Sequence, residues 1–168
     1  MTVESWLGVT SDHTLCFFLE GLQEVVGDRA PARAELYYNA SILAHYALTS
    51  TAAGGHDLQA PADLRSVFEL FVLDRSQHTD PALMETAGAQ CLLLTGFFAA
   101  QQRHRHSLRW FADVGGEFFA AAGRRHADAR RARLLWTMAE RFEFWRQAQE
   151  GLAAHLRNDP VLTVRSVA

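Results

Sequence analysis

Ala87 to Ala100 forms a run of fourteen residues that is apolar nearly all round, broken only by Gln90 and Thr95. It falls short of the roughly 20 residues needed to cross a bilayer. A helix through it must therefore be covered on every side by the rest of the chain. Gly88 and Gly96 inside it each cost roughly 1 kcal/mol relative to alanine, which close approach of a neighbouring helix offsets. Asp80-Pro81, a capping carboxylate before a proline, marks the start of this central helix, expected over about 81–100.

The rest of the chain supplies the cover. Ser11-Asp12 caps a first helix to about Val26, with Leu15, Phe18, Leu19, Leu22 and Val26 recurring three or four apart before Gly27-Asp28 ends it. Pro31 opens a second helix to about Leu48, with Leu36, Leu43 and Tyr46 on its apolar face. After a loop at Thr51 to His56, Pro61 opens a third helix carrying Leu64, Val67, Phe68, Phe71 and Val72. Beyond the central fourth helix, Ser107 caps a fifth through Ala122, with Gly115-Gly116 as a packing pair. A long sixth helix, about 127–157, carries a seam of Leu135, Met138, Phe142, Trp145, Gln149, Leu152 and Leu156. That seam suits either an intramolecular bundle or a two-fold helix pair, with Gln149 fixing register. Strand signals are confined to the tail, and residues 158–168 are expected to be flexible. The chain has 168 residues, 49% of them apolar, enough to bury a core. The expectation is an all-α, single-domain bundle of about six helices spanning 1–168.

The stretches Ala89-Gln-Cys-Leu-Leu-Leu-Thr-Gly-Phe-Phe98 and Trp110-Phe-Ala-Asp-Val-Gly-Gly-Glu-Phe-Phe119 resemble a family of small uncharacterised bacterial all-helical proteins. The resemblance extends to Glu35-Leu-Tyr-Tyr-Asn-Ala-Ser-Ile-Leu-Ala44 and covers about half of the chain. Its motifs are apolar and glycine-rich, so it implies a fold and no chemistry. The arginine and histidine load before Trp110 departs from the family pattern.

All sixteen basic residues are arginine, a bias that points to a GC-rich bacterial genome, and the net charge is −3. Residues 1–102 carry four arginines against twelve acids, whereas residues 103–133 carry eight against three. The basic clusters flank the fifth helix, with Arg103 and Arg105 before it and Arg124, Arg125, Arg130 and Arg131 after it. They serve either an anionic partner or the acids of the first hundred residues. Cys16 and Cys91 lie among apolar neighbours without metal-ligand spacing and read as small core residues. The N-terminus lacks the basic cluster of a secretory signal, so a cytoplasmic protein is expected.

Catalytic signatures are sparse. Bundle di-iron sites need Glu-x-x-His pairs, and no glutamate here has a histidine three residues on. The pairs Asp74/His78 and Asp113/Glu117, at i,i+4, read as solvated faces. His45, among apolar residues, reads as a hydrogen-bonded core histidine. Glu35 and Asp113, beside aromatic residues, are either half-buried acids or exposed helix flanks, and the flank is the expectation. No catalytic residue, metal or cofactor is assigned. The leading expectation is a non-enzymatic regulatory or adaptor protein acting through helix surfaces as a homo-oligomer or with another protein, and not at a membrane. The alternatives are a binder of an anion, nucleic acid or acidic partner through segment 103–133, with nucleic acid not favoured, and a helical-bundle enzyme or cofactor binder.

Overall fold

The computed structural model describes residues 12–29, 31–52, 80–103 and 107–158. Among these residues all regular structure is helical, and the helices pack as one all-α bundle. In chain order they are α1 (Asp12–Val26), α2 (Arg33–Ala52), α3 (Pro81–Thr95), the single turn α4 (Ala99–Gln102), α5 (Leu108–Arg125), α6 (Ala129–Glu140) and α7 (Phe142–Asn158). None of them is long and apolar enough to cross a membrane. The helix expected from Pro61, with Leu64, Val67, Phe68, Phe71 and Val72, lies outside the described residues. So do the Asp74/His78 pair, Arg105, most of the 51–56 loop and residues 159–168.

Capping follows the sequence closely. Asp80 accepts from the Ala82 backbone N–H at 2.8 Å, with Pro81 in the first turn. Ser107 accepts from Trp110 N–H at 3.4 Å, and Asp128 starts α6 by accepting from Arg130 N–H at 2.9 Å. α1 ends where Gly27 takes a positive φ of 56°, open to glycine without steric cost. A 3-10 turn over Gly27–Arg29 follows, and the Arg29 guanidinium folds back onto the carbonyls of Val25 and Val26 at 2.9 and 3.1 Å.

α3 is the central element and is buried along most of its length. Its most extensive partner is α5. The two helices approach at glycines: a Cβ on Gly115 would sit 2.7 Å from Cys91 Cβ and 2.5 Å from the Phe142 ring. Gly88 makes the matching space for Phe119. α1 and α7 run antiparallel, since Gly21 meets Leu152, Val25 meets Gly151, and Arg29 lies 5.4 Å from the Phe144 ring centroid.

Four boundaries differ from the sequence reading. The second helix continues past Leu48 to Ala52, and the fifth past Ala122 to Arg125. The central helix stops at Thr95 instead of running to 100. At the stop, Gly96 leaves the helical region, and a Cβ there would meet Leu92 O at 2.7 Å and Arg146 O of α7 at 3.0 Å. The long sixth helix is two helices that meet at Arg141, whose φ of −107° and ψ of 21° break the regular winding. Neither proline nor glycine is present at that break. Tertiary contacts set the direction there: the Arg141 guanidinium stacks 4.4 Å from the Phe144 ring centroid and bonds to α2.

Candidate functional site

The apolar core has a polar centre between α2 and α7. Glu35, read from sequence as an exposed flank, is 3% exposed. Its Oε2 accepts from the Trp145 indole N–H at 2.8 Å, and its Oε1 accepts from Arg141 at 3.1 Å. One turn on, Asn39 Nδ2 donates to the Glu35 carbonyl at 2.9 Å, and Asn39 Oδ1 accepts from Gln149 Nε2 at 3.2 Å. Gln149 Oε1 is buried without a hydrogen-bond partner. A neighbouring cluster joins α2, α3 and α6: Tyr38 donates to Glu85 at 2.9 Å, and Arg131 pairs with the same carboxylate while lying 5.3 Å over the Tyr38 ring. Burial and the adjacent Glu85 carboxylate raise the Tyr38 phenol well above its ordinary range. Both carboxylates are committed to structural partners, which makes these clusters fasteners between helices.

The seam residues belong to this interior. Leu135, Met138, Phe142, Trp145, Gln149 and Leu152 are buried, and Leu156 packs partly buried against them. The chain's own helices cover the seam from Leu135 to Leu152. Gln149 fixes an internal contact with Asn39. Of the cysteines, Cys91 is buried as expected, and burial pushes its thiol up to about 12. Cys16 is exposed, contrary to the sequence reading, because α1 turns its 18, 22 and 26 positions inward. His45 is half-buried, and burial lowers its pKa.

The basic residues do not converge. α5, with 18 residues, is about 27 Å long and separates Arg103 from Arg124 and Arg125. Arg124 lies 5.6 Å over the Trp136 ring, Arg125 and Arg130 are exposed, and Arg131 is tied to Glu85. Of the described ones, Arg103 lines a concave site. With Arg109 and Arg146 it lines a cleft of about 590 Å³, together with Leu108, Ala112, Asp113 and Glu143.

Within this cleft the three guanidinium groups differ. Arg146 is the most fully engaged: it forks onto both Glu143 oxygens at 2.8 Å and reaches Glu150 and the Thr95 carbonyl, each at 3.0 Å. The bond to Thr95 satisfies a carbonyl at the C-terminus of α3. Hydrogen bonding to Arg146 holds the Glu143 carboxyl below its usual range, with Gln147 and the nearby Arg109 adding to the effect. Arg103 pairs with Glu150 in an exposed contact. Arg109 is exposed and has no ion-pair partner among the described residues. Glu143, Arg146 and Glu150 were legible as an i,i+3/i,i+4 ladder. Arg109 carried no local signal, because its role depends on α5 facing α7.

Asp113 and Glu117 of α5 also face Glu140 and Glu143 across a shallower cleft. No group of three or more His, Cys, Asp or Glu among the described residues is placed to hold a metal ion. Compared with family models, curated proteins and solved structures, the chain matches none.

Proposed function

We propose that the protein is a non-enzymatic adaptor that engages an acidic segment of a partner protein through the cleft of Arg103, Arg109 and Arg146. The observation that carries this reading is Arg109, an exposed guanidinium that lines a 590 Å³ cleft and has no ion-pair partner among the described residues. Arg146, held by Glu143 and Glu150, fixes that wall of the cleft in place. Arg103 is held only by an exposed pair, which an incoming carboxylate can replace at little cost.

An acidic peptide suits the site better than a nucleic acid. Asp113 and Glu143 stand in the same walls and repel a continuous phosphate backbone, while a carboxylate side chain reaches Arg109 individually. The second basic group, at the far end of α5, is too distant and too dispersed to extend a phosphate track.

Fluorescence anisotropy of a labelled oligoglutamate at low and physiological salt tests the reading. Salt-dependent binding that weakens about tenfold in Arg109→Glu, and is unchanged in Arg130→Glu, supports it. Absence of oligoglutamate binding at low salt overturns it. Tight binding of mixed-sequence DNA without binding of oligoglutamate also overturns it.

A further inference from the structure

The arginine cleft continues along α7. Glu143, Arg146, Glu150, Ala153 and Arg157 follow one another at spacings of three and four, and so share one helix face. The first two line the arginine cleft, and the last two line a second depression of about 380 Å³. The opposite wall shows the same continuity, with Arg103 in one depression and Gln101 of α4 in the other. What divides them is the Arg103–Glu150 ion pair, whose side chains are 58% and 26% exposed.

The second depression is chemically unlike the first. Phe17, Phe18, Phe97, Phe98 and Leu156 line it. The rings stack edge to face in series, with centroids 5.2 Å apart for Phe17 and Phe18, 6.4 Å for Phe18 and Phe97, and 5.2 Å for Phe97 and Phe98. Such a ladder is a rigid apolar floor. Phe17 is 46% exposed at its edge, a large apolar surface left to water.

We propose that the two depressions form one groove that receives an amphipathic acidic helix of a partner protein, carboxylates toward Arg109 and apolar side chains on the Phe17–Phe97–Leu156 floor. This rests on the reading of the arginine cleft given above and adds the pattern of the partner. Charge complementarity selects that occupant. Arginines without an ion-pair partner among the described residues stand at both ends of the groove, Arg109 at one and Arg157 at the other, whereas Arg146 is offset by Glu143 and Glu150. On the outer face of α1, Glu20 and Glu24 are exposed and hold an acidic partner to the α7 side of Phe17. Arg146 and Leu156 are about 15 Å apart along α7, so the acidic and apolar blocks of a docked helix are separated by about ten residues.

Three labelled peptides test this against the full chain. One has a glutamate block and a Leu/Phe block at that separation, one has the same composition interleaved, and the third is oligoglutamate. The block peptide is expected to bind at least about tenfold tighter than the other two. Phe17→Ser, at an exposed position, is expected to abolish that advantage and leave oligoglutamate binding unchanged, with circular dichroism confirming the fold. Arg109→Glu is expected to weaken all three. If oligoglutamate binds, but the block peptide binds no tighter or ignores Phe17→Ser, the composite groove is overturned and the arginine cleft stands. If none binds, both fall; if block-peptide binding ignores Arg109→Glu while oligoglutamate binding does not, the composite groove is overturned and the arginine cleft stands. A dimer in sedimentation that Phe17→Ser dissociates would place a second copy in the groove and overturn the proposal.

Discussion

The contact of α3 with α5 and the contact of α2 with α7 hold the same bundle by opposite means. The first is apolar and close, made by glycines that accept a ring or a neighbouring Cβ. The second is polar, with Glu35, Asn39, Trp145 and Gln149 bonded to one another inside the core. Shape governs the first, and every added atom is felt. Satisfaction of hydrogen bonds governs the second, where every removed atom leaves a partner stranded.

The largest expected effect is at the polar contact. Glu35→Ala strands the Trp145 indole N–H and the Arg141 guanidinium at once, and its expected cost is about 3–5 kcal/mol in urea unfolding. A cost under about 1 kcal/mol would mean that the two helices do not depend on this carboxylate. Gly115→Ala comes next, at about 1–3 kcal/mol, because Phe142 and Cys91 have to move away from the new methyl group. The same variant sharpens the comparison through thiol labelling. In the native wild type Cys16 is expected to react and Cys91 to be protected, and the wedge at Gly115 is expected to speed Cys91 modification.

Asp80→Ala probes the start of α3, outside both contacts, and is expected to cost about 1 kcal/mol in thermal unfolding. The smallest effect is the pH response of His45. Burial favours its neutral form in the folded chain, so the unfolded chain binds the proton first as pH falls. The stabilisation is complete above its ordinary 6.5 and is lost as pH drops through the lowered folded value. Replacement by Gln should flatten unfolding midpoints measured between neutral and mildly acidic pH.

The two contacts also differ in how far the sequence reveals them. Gly115, the apolar run after Ala87, and the capping residues Asp80 and Ser107 act on neighbours within a turn or on a face that periodicity defines. Glu35 does not: its partners Arg141 and Trp145 are 106 and 110 residues away. Its aromatic neighbour Tyr37 raises a half-buried acid as one alternative, but nothing local sets that above an exposed flank. The break at Arg141 was hidden for the same reason, since that stretch has good helix formers and no breaker. Cys16 was a subtler miss. Its apolar neighbours suggest the core, while the four-residue spacing of Phe18, Leu22 and Val26 places it on the outer face. In the candidate site the basic segment was visible, but the residue that matters most, Arg109, stood apart from the clusters that composition picks out.

The long sequence separation of the Glu35 contacts also fixes their place in time. Closing a chain segment of more than a hundred residues is entropically costly, and the reward arrives only when α2 and α7 are both formed and docked. The shorter separation between α3 and α5, and the turns joining α5, α6 and α7, allow that half to assemble earlier. The Glu35 cluster then acts as a late latch: its loss should accelerate escape from the native state far more than it delays arrival there.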